Sequence, residues 1–471
     1  MITRPALPAD AWKPCDLRGV YPDAVSPHLF REIGSAIGTV LAAGARVLVA
    51  GDFRLSTPPL KDALCKGLLR TGLHVLDAGQ GPTPLAYFAA TQVNADAVLI
   101  ITASHNPVAY NGLKLMLGSV PTTPQQLAHI RSVTETGSFR SGQGSLETVD
   151  LWPAYTKAML QRWSHLNGSR QPVVLDAGNG AWSEMAPEIF HSLGFATVCL
   201  SCVADGNFPD RSPDCAGASH LAGLRAAVRE NPGAIGVAWD GDGDRVAFVD
   251  EEGSYVSPDE IAILFAYSVL DRQAPLTRPD CKMVVDVKCS EAVRRAILQR
   301  SGTPLLERTG HAFMRSRMVA ESASLGLDAC GHYFFLELSG GDDGLYSALY
   351  LLHLVQESGR TLADLRHSLP HIFSSPEIRI PGDVLPFRTA SAALTAAFPG
   401  ASIMQMDGAR FVMEDGVVLV RESGTEPVLS LRIEGFTSAS HDRILAQCLQ
   451  SLPQARQNIL AVSSTALDIE N

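Results

Sequence analysis

The chain has 471 residues, of which 46% are hydrophobic and 18% charged, and its formal net charge is −11 at pH 7. This length suits about three or four domains, and the apolar content excludes a globally disordered chain. The acidic balance argues against a broad nucleic-acid surface, so we expect no nucleic-acid partner, and any anionic ligand has to be held by local basic residues and backbone amides.

Hydropathy and cysteine spacing narrow the class of protein further. No apolar run approaches the ~20 residues of a membrane span, and the N-terminus lacks the apolar segment of a secretory signal. We therefore expect a soluble cytoplasmic protein without a membrane partner. Nine cysteines are scattered along the chain, which does not indicate a disulfide framework. Cys199 and Cys202 form a Cys-x-x-Cys, but no second such pair exists to complete a zinc site, and we interpret the apolar run around them as the end of a strand.

Three segments share one pattern, a short β-rich run followed by a turn and a helical repeat. They begin at Val47, Val173 and Met283, and each one opens a unit that indicates an α/β domain. The remainder of the chain begins with proline-rich punctuation and is typical of a smaller α+β domain. We place the domains at residues 1–150, 151–251, 252–369 and 370–471.

The first chemical feature along the chain is a serine loop that follows a buried strand predicted over 96–102. It reads Ala103-Ser104-His105-Asn106-Pro107. A residue just beyond the carboxyl end of a parallel strand lies where α/β folds place their chemistry. The pattern is not Gly-x-Ser-x-Gly, which disfavours the nucleophile elbow of a hydrolase. Alone, a Ser-His pair in a loop is usually polar surface, so this loop gains meaning only from the rest of the chain.

The second feature is an acidic loop between two apolar strands. It reads Asp240-Gly-Asp242-Gly-Asp244-Arg245, and its glycines let three carboxylates converge on a hard divalent cation. An EF-hand is the obvious rival because Glu251 falls at loop position twelve. However, Arg245 stands where an EF-hand needs glycine, and the flanks are strands. We therefore favour Mg²⁺ over a solvated acidic turn, in which the three carboxylates would repel one another.

The third feature lies between two predicted strands near the end of the chain and reads Arg421-Glu-Ser423-Gly424-Thr425-Glu-Pro427. Arg421 offers a planar fork for phosphate oxygens. The two hydroxyls and the backbone amides of the glycine turn add further donors. The same residues also suit a plain hairpin turn, and on their own they leave both interpretations open.

In this order, the three loops resemble those of the α-D-phosphohexomutase superfamily, and more closely its bacterial phosphomannomutase/phosphoglucomutase branch. The similarity extends over nearly the whole chain. Each short motif is weak alone, but six or more in order are specific. The other matching runs are Cys15-Asp-Leu-Arg18-Gly19, Asp176-Ala-Gly-Asn-Gly180, Asp205-Gly-Asn-Phe-Pro209, Asp286-Val-Lys288-Cys289 and Thr309-Gly-His311.

The resemblance implies three related α/β domains with mixed sheets and a C-terminal α+β domain around a central active-site cleft, with one loop from each domain. It implies a phosphohexose mutase that interconverts hexose 1-phosphate and 6-phosphate, of glucose and/or mannose, through a phosphoserine and a bisphosphorylated sugar. By resemblance Ser104 carries the phosphoryl group. Mg²⁺ then bridges it to Asp240, Asp242 and Asp244, and glucose 1,6-bisphosphate or mannose 1,6-bisphosphate is the activator.

The family motifs also imply roles for further residues. Lys114 is a candidate general acid/base, which His105 or His311 could share, and Arg245 neutralises charge on the transferred group. We expect the pKa of Lys114 to be lowered, because cations surround it in such a site. The sugar phosphate is the expected small-molecule partner of a monomer or small homo-oligomer. The residues expected to bind it are Arg18, Lys288, Asp328, Cys330, His332, Arg421, Ser423, Gly424 and Thr425.

The sugar-binding loop departs from the family pattern, Gly-Glu-x-Ser-Gly-His, since it reads Leu327-Asp328-Ala-Cys330-Gly-His332. Asp328 keeps the carboxylate on a side chain one methylene shorter, and Cys330 replaces a hydroxyl with a weak donor and acceptor. Weaker activity or specificity on the same sugars and a change of sugar both follow, and we favour the first.

Two other functions stay open. One is a phosphoglucosamine mutase, whose N-terminal motif usually reads closer to Thr-Asp-Gly-Ile-Arg-Gly than to residues 15–19 here. The other is a degenerate sugar-phosphate-binding sensor with weak catalysis. The altered sugar loop supports the sensor, whereas the intact Ser104 opposes it.

Overall fold

The computed structural model describes residues 8–167, 171–274, 276–423 and 427–461. Four sheets follow one another along the chain, and we call each sheet with its helices a unit. Among the described residues, no helix combines the length and apolar character that crossing a membrane requires.

The first unit has a mixed sheet of seven strands in the order β1-β5-β4-β2-β3-β7, with β6 paired to β5. Its centre, β4-β2-β3, is parallel. Beside it, β5 pairs antiparallel with β4, and β1 pairs antiparallel with β5. The apolar run Ala-Val-Leu-Ile-Ile makes β4 a central strand that is buried on both faces. The elements are β1 (Asp16–Val20), α1 (Pro27–Val40), β2 (Arg46–Gly51), α2 (Thr57–Leu69), β3 (His74–Gln80), α3 (Thr83–Gln92), β4 (Ala97–Ile101), β5 (Tyr110–Leu117), β6 (Val120–Pro121), α4 (Pro124–Thr136) and β7 (Ser145–Thr148).

The second unit repeats this plan with five strands in the order β12-β11-β10-β8-β9. The strands β10, β8 and β9 are parallel, and a hairpin joins β10 to β11. The elements are α5 (Trp152–Arg162), β8 (Val173–Asp176), α6 (Met185–Ser192), β9 (Thr197–Leu200), α7 (Ala222–Glu230), β10 (Ile235–Trp239), β11 (Val246–Val249) and β12 (Tyr255–Val256). Cys199 lies in β9 and Cys202 just beyond it, and both are free thiols, so the interpretation as a strand end is confirmed.

The third unit has five strands in the order β14-β13-β15-β16-β17, with the first three parallel. Its first helix, α8, begins with a capping box between Ser257 and Glu260. The elements are α8 (Pro258–Asp271), β13 (Lys282–Asp286), α9 (Glu291–Gln299), β14 (Thr303–Glu307), α10 (His311–Glu321), β15 (Leu325–Leu327), β16 (Tyr333–Phe335), β17 (Gly341–Asp342), α11 (Gly344–Ser358) and α12 (Leu362–His367).

The fourth unit is an antiparallel sheet in the order β18-β23-β22-β21-β20, with β19 paired to β23. The strand before the phosphate loop is longer than its apolar run predicts. Arg421 and Glu422 lie inside β22, because they pair with Ser430 and Leu429 of the next strand. The elements are β18 (Phe373–Ser374), β19 (Ile378–Pro381), α13 (Phe387–Ala397), β20 (Ser402–Met404), β21 (Ala409–Val412), β22 (Gly416–Glu422), β23 (Val428–Gly435) and α14 (Ser438–Ser451).

The cores show how the units are joined. The second and third units share one apolar core, in which side chains such as Trp182, Phe265 and Tyr346 are fully buried. The first and fourth units have cores of their own. The predicted architecture, three α/β units with mixed sheets and a final α+β unit, is confirmed. The serine loop and the acidic loop follow the carboxyl ends of the parallel strands β4 and β10, so these two loops lie at equivalent edges of their sheets.

Candidate active site

Ser104 lies three residues beyond the end of β4 and is held in a strained conformation. Its side chain is only 2% exposed, and its φ of +50° is in the left-handed region. The backbone N–H of Ser104 donates to Thr102 Oγ1 at 2.8 Å, and the Thr102 hydroxyl donates to Asp52 Oδ2 at 2.7 Å. The hydroxyl of Ser104 reaches the second unit, where Ser104 Oγ donates to Asp240 Oδ2 of the acidic loop at 2.7 Å.

Arg54, a residue that the sequence patterns did not single out, supports the serine loop through hydrogen bonds to its backbone. Arg54 is fully buried, and its Nε lies 3.2 Å from Asp52 Oδ2. Its guanidinium donates to three backbone carbonyls of the serine loop and to the first carbonyl of β5: those of Ser104 (2.7 Å), Asn106 (2.6 Å), Pro107 (2.8 Å) and Tyr110 (3.1 Å). The ring of Phe208, from the second unit, stacks 5.3 Å from the guanidinium. The sequence signal that could have indicated Arg54 is its position just after β2, the strand that pairs in parallel with β4.

The acidic loop joins β10 to β11 and brings its three carboxylates together as predicted. Asp240, Asp242 and Asp244 are buried, and one oxygen from each lies within 4.8 Å of the others. A Cβ at Gly241 would lie 2.6 Å from the carbonyl oxygen of Ser104, so only glycine allows the two loops to approach this closely. The geometry therefore joins the serine of the first unit to the carboxylates of the second.

The donor set of this loop fits a divalent cation. Asp242 Oδ1 and Asp244 Oδ1 are buried and accept no hydrogen bond from the described residues. Burial, and after it the neighbouring Asp242 and Asp244, raise the pKa of Asp240 to about 8. Three carboxylates beside a serine oxygen provide the hard oxygen ligands that Mg²⁺ prefers.

The expectation for Lys114 is wrong in one respect. Lys114, on β5, donates from Nζ to Asp242 Oδ2 at 2.7 Å and also to Asp244 Oδ2. Burial alone would lower its pKa, but these two carboxylates outweigh burial and raise the pKa well above its ordinary value. Lys114 is therefore a protonated group that can donate, and the cations nearby do not set its state.

The pKa values of His105 and His311 are shifted in the opposite direction from that of Lys114. His105 Nδ1 lies 3.3 Å from Ser104 Oγ. Burial, and after it the positive charges of Arg245 and Arg18, lower the pKa of His105 well below its ordinary value. His311 begins α10, and burial together with Lys114 lowers its pKa in the same way. Both imidazoles are therefore neutral near pH 7 and are able to accept a proton.

His332 lies between the acidic loop and the sugar-binding loop. Arg245 Nε lies 3.3 Å from His332 Nε2 and 3.9 Å from Asp240 Oδ2. On the other side of the ring, His332 Nδ1 lies 2.6 Å from Asp328 Oδ2. Burial alone would lower the pKa of His332, but Asp328 and Asp244 raise it well above its ordinary value. The loop from the third unit thus reaches the carboxylates of the second.

The rest of the sugar-binding loop faces Lys288, which follows β13. Lys288 Nζ lies 4.0 Å from Cys330 Sγ and 3.0 Å from Glu377 Oε2, and Glu377 precedes β19 of the fourth unit. Asp328 is 3% exposed, and its Oδ1 accepts the backbone N–H groups of Cys330 and His332 at 2.8 and 2.9 Å. Its carboxylate is therefore fully engaged inside its own loop.

Two arginines are also among the residues expected to bind the sugar phosphate. Arg18, on β1, donates to Asn106 Oδ1 of the serine loop at 2.8 Å and to Asp16 Oδ2 at 3.0 Å. Arg421 contacts Asp407 Oδ2 through Nε at 3.0 Å and through Nη2 at 2.9 Å. The same Asp407 oxygen accepts the N–H of Thr309 at 3.2 Å, which joins the fourth unit to the third.

Part of the predicted phosphate loop can be placed and part cannot. Ser423 follows β22, and its backbone N–H donates to the Val428 carbonyl at 2.9 Å. Gly424 and Thr425 lie outside the described residues. Among the described residues, each of the four units contributes at least one side chain to the continuous set of contacts that runs from Ser104 to Arg421.

Comparison with known proteins agrees with this architecture. The chain matches four successive models of one family, described as phosphoglucomutase/phosphomannomutase α/β/α domains I, II and III and C-terminal domain, over residues 12–141, 153–253, 257–373 and 386–451. A phosphomannomutase/phosphoglucomutase from Pseudomonas syringae pv. tomato is 36% identical over 445 residues, which cover 93% of this chain and 94% of the relative. A phosphoglucomutase from Neisseria gonorrhoeae is 34% identical over 452 residues, which cover 93% of this chain and 96% of the relative.

A solved structure shows the same likeness in three dimensions. The crystal structure of a phosphoglucomutase/phosphomannomutase family protein from Burkholderia thailandensis has a TM-score of 0.85 and 33% identity, and the match covers 95% of this chain and 98% of that one. The four units and the acidic loop beside a serine define an isomerase of the phosphotransferase type. Within that class, the chain belongs to the phosphoglucomutase/phosphomannomutase family, and it is a hexose phosphate mutase.

Proposed function

We propose that this mutase interconverts the 1- and 6-phosphates of glucose and/or mannose, with Ser104 as the group that carries the phosphoryl between the two ends of the sugar. The hydrogen bond from Ser104 Oγ to Asp240 Oδ2, at 2.7 Å, is the observation that supports this most. A buried serine oxygen, fixed in place beside a metal-binding carboxylate, is what in-line phosphoryl transfer requires. A protein that only bound the sugar phosphate would have no use for it.

We also propose that the resident cation is Mg²⁺, held by Asp240, Asp242 and Asp244 together with an oxygen at Ser104. The buried oxygens Asp242 Oδ1 and Asp244 Oδ1, which accept no hydrogen bond from the described residues, support this ligand set. When bound, Mg²⁺ offsets the negative charge that develops on the transferred phosphoryl group.

In the first transfer, a sugar hydroxyl oxygen attacks the phosphorus of phosphorylated Ser104. The bond from phosphorus to Ser104 Oγ breaks as the bond to the sugar forms. The sugar hydroxyl gives up its proton, and the neutral His105 or His311 can accept it. Lys114, which is held protonated, can donate a proton to the released Oγ. Arg245 adds positive charge beside Asp240.

The product of this transfer is a sugar bisphosphate, which has to turn over in the site before the second transfer. The phosphate at its other end then returns to Ser104, with the proton movements reversed. Glucose 1,6-bisphosphate or mannose 1,6-bisphosphate added in small amounts would restore the phosphoserine by the same step, which is why we propose it as the activator.

Both orientations of the sugar need the same distal contacts. Arg421, with Ser423, Gly424 and Thr425, is our proposed site for the distal phosphate, and Arg18 and Lys288 supply further charge. We assign His332 and Cys330 to the sugar itself and Asp328 to the support of His332. We further propose that the enzyme acts in the cytoplasm as a monomer or small homo-oligomer.

A panel of hexose and hexosamine 1-phosphates, assayed with Mg²⁺ and catalytic glucose 1,6-bisphosphate, tests the proposal. We expect the highest kcat/KM for glucose 1-phosphate or mannose 1-phosphate and one phosphoserine per chain by intact mass, which Ser104→Ala removes. Ser183→Ala, at another buried serine, is the matched control. A preference for glucosamine 1-phosphate would favour a phosphoglucosamine mutase, and the absence of both phosphoserine and turnover would favour a sensor.

A further inference from the structure

A second group of potential metal ligands lies beside the acidic loop, on the side of the third unit. It consists of Asp244, His332 and Asp342, all buried, with one ligand atom of each within 4.8 Å of the others. His332 Nε2 is 3.3 Å from Asp244 Oδ1 and 3.8 Å from Asp342 Oδ2. Ligands about 2.0–2.1 Å from a tetrahedral ion stand roughly 3.3–3.4 Å apart, so the His332–Asp244 separation already fits and the His332–Asp342 separation has to close by about half an ångström.

Asp342 is the group in this cluster that calls for a cation. It ends β17 and is 2% exposed, and neither of its carboxylate oxygens accepts a hydrogen bond from any described residue. The neighbouring Arg315 is directed elsewhere, because its guanidinium lies over the ring of Tyr87 at 4.5 Å and donates to Met116. A buried carboxylate without a hydrogen-bond donor is strongly unfavourable, and a bound ion is one of the few ways to satisfy it.

The ring of His332 is oriented by a carboxylate, as the rings of metal-binding histidines usually are. Asp328 Oδ2 lies 2.6 Å from His332 Nδ1, which fixes the ring and aims Nε2 at Asp244 and Asp342. A carboxylate on the far ring nitrogen is the common support of a histidine ligand. The backbone N–H groups that hold Asp328 Oδ1 make this support rigid.

We propose that Asp244, His332 and Asp342 form a second divalent-cation site, suited to a borderline ion such as Zn²⁺, beside the site formed by Asp240, Asp242 and Asp244. One imidazole nitrogen and two carboxylates are typical zinc ligands, whereas Mg²⁺ prefers an all-oxygen set. The second site therefore selects a different ion from the first.

Both sites use Asp244. Its Oδ2 contacts Lys114, while its Oδ1 faces His332 and accepts no hydrogen bond from the described residues. With both ions bound, Asp244 would serve as a ligand of each. Binding at His332 Nε2 replaces the contact that Arg245 Nε makes at 3.3 Å and releases any proton carried by Nε2. Since His332 is then withdrawn from the sugar-phosphate site, Zn²⁺ inhibits the mutase without displacing Mg²⁺.

Equilibrium dialysis of the full-length, metal-stripped protein tests this site directly. The protein is dialysed against Zn²⁺ in saturating Mg²⁺, and both metals are measured per chain. We expect one Zn²⁺ retained beside one Mg²⁺, with Zn²⁺ affinity reduced at least tenfold in Asp342→Asn. Asp343→Asn is the control, since Asp343 is also a buried aspartate but bonds Tyr155 and Tyr346 instead. Co²⁺ in place of Zn²⁺ should give visible absorption that Asp342→Asn weakens.

Two results would overturn the proposal. One is a single Zn²⁺ that Mg²⁺ displaces competitively, which would place the ion in the first site. The other is equal Zn²⁺ affinity in Asp342→Asn and Asp343→Asn. Melting curves without metal check that each variant folds. If Asp342→Asn does not fold, His332→Asn carries the same readouts, because it removes the nitrogen ligand and leaves all three aspartates of the first site.

Discussion

The carboxylate of Asp328 is turned onto His332, with Oδ2 2.6 Å from Nδ1. Its other oxygen accepts two backbone N–H groups of the same loop. The family motif has glutamate at this position, and the shorter side chain keeps the charge within the loop. If His332 binds the sugar as proposed, Asp328 acts on the sugar through the ring of His332.

Asp328→Asn should lower kcat more than it raises KM. The amide lacks the negative charge that orients the ring of His332 and keeps it protonated. The loss of a charged hydrogen bond costs about 1.5–3 kcal/mol, roughly a 10- to 100-fold effect. Steady-state kinetics on glucose 1-phosphate and mannose 1-phosphate measure the split. His332→Asn is the reference, and the double variant should be no worse than His332→Asn. Additive losses in the double variant would contradict a role through His332.

Cys330→Ser should raise kcat/KM on glucose 1-phosphate or mannose 1-phosphate. Cys330 Sγ lies 4.0 Å from Lys288 Nζ, and a hydroxyl is a stronger donor and acceptor than a thiol. Restoring one hydrogen bond to the sugar is worth about 1 kcal/mol, or up to roughly tenfold. Cys202→Ser, outside this loop, serves as the control. Unchanged kinetics in Cys330→Ser would show that this position does not contact the sugar hydroxyls.

Sequence patterns predicted what depends on local chemistry. The serine loop and the Asp240–Asp244 loop follow strands whose apolar runs are plain in the sequence, and the structure brings the two loops into contact. The patterns missed what depends on distant pairing. Arg54 bonds carbonyls more than 50 residues away, and Lys114 meets carboxylates about 130 residues away. No periodicity or spacing records such contacts, so the buried support of Ser104 and the charge state of Lys114 appear only in three dimensions.

Arg54→Lys should reduce kcat at least 100-fold while the metal site persists. A single ammonium cannot replace a guanidinium that donates to four carbonyls, so the loop no longer holds Ser104 in its left-handed conformation. Misplacing the nucleophile by about 1 Å is enough for a loss of this size. Mg²⁺ binding by calorimetry should be weakened by the displaced Ser104 oxygen but should persist, because the three aspartates of the acidic loop are intact. Full activity in Arg54→Lys would mean that Thr102 and Gly241 suffice to place the serine.

Lys114→Met should make the protein depend on Mg²⁺ for stability. Without the ammonium, the buried carboxylates of Asp242 and Asp244 lose the cation that contacts both, which costs about 3–5 kcal/mol. Mg²⁺ would compensate, so the rise in Tm on adding Mg²⁺ should be larger in the variant than in the unmodified enzyme. Lys61→Met, which removes a partly buried partner of Asp77, is the control. An equal Mg²⁺ shift in all three proteins would contradict the pairing.

Glu377 joins the fourth unit to the third through a pH-dependent contact. Its Oε2 lies 3.0 Å from Lys288 Nζ, and Ser430 Oγ donates to Oε1 at 2.5 Å. Burial alone would raise the pKa of Glu377, but Lys288 and Ser430 outweigh it and lower the pKa from 4.5 to about 2. The folded state thus favours the ionised carboxylate. This contribution to stability is complete above about pH 5 and is lost as the pH falls from there towards 2.

Glu377→Gln should therefore lower Tm at pH 6–7 and have a smaller effect on Tm at acidic pH. We expect the difference in Tm between the unmodified enzyme and Glu377→Gln to shrink as the pH falls from 5 towards 3. The difference between the two proteins isolates this group from the other carboxylates that titrate in the same range. Glu422→Gln, at an exposed glutamate at the end of β22, controls for the loss of one negative charge. If the Tm difference is the same at pH 3.5 and pH 7, the carboxylate of Glu377 does not contribute through its charge, and the contact with Lys288 does not help hold the fourth unit against the third.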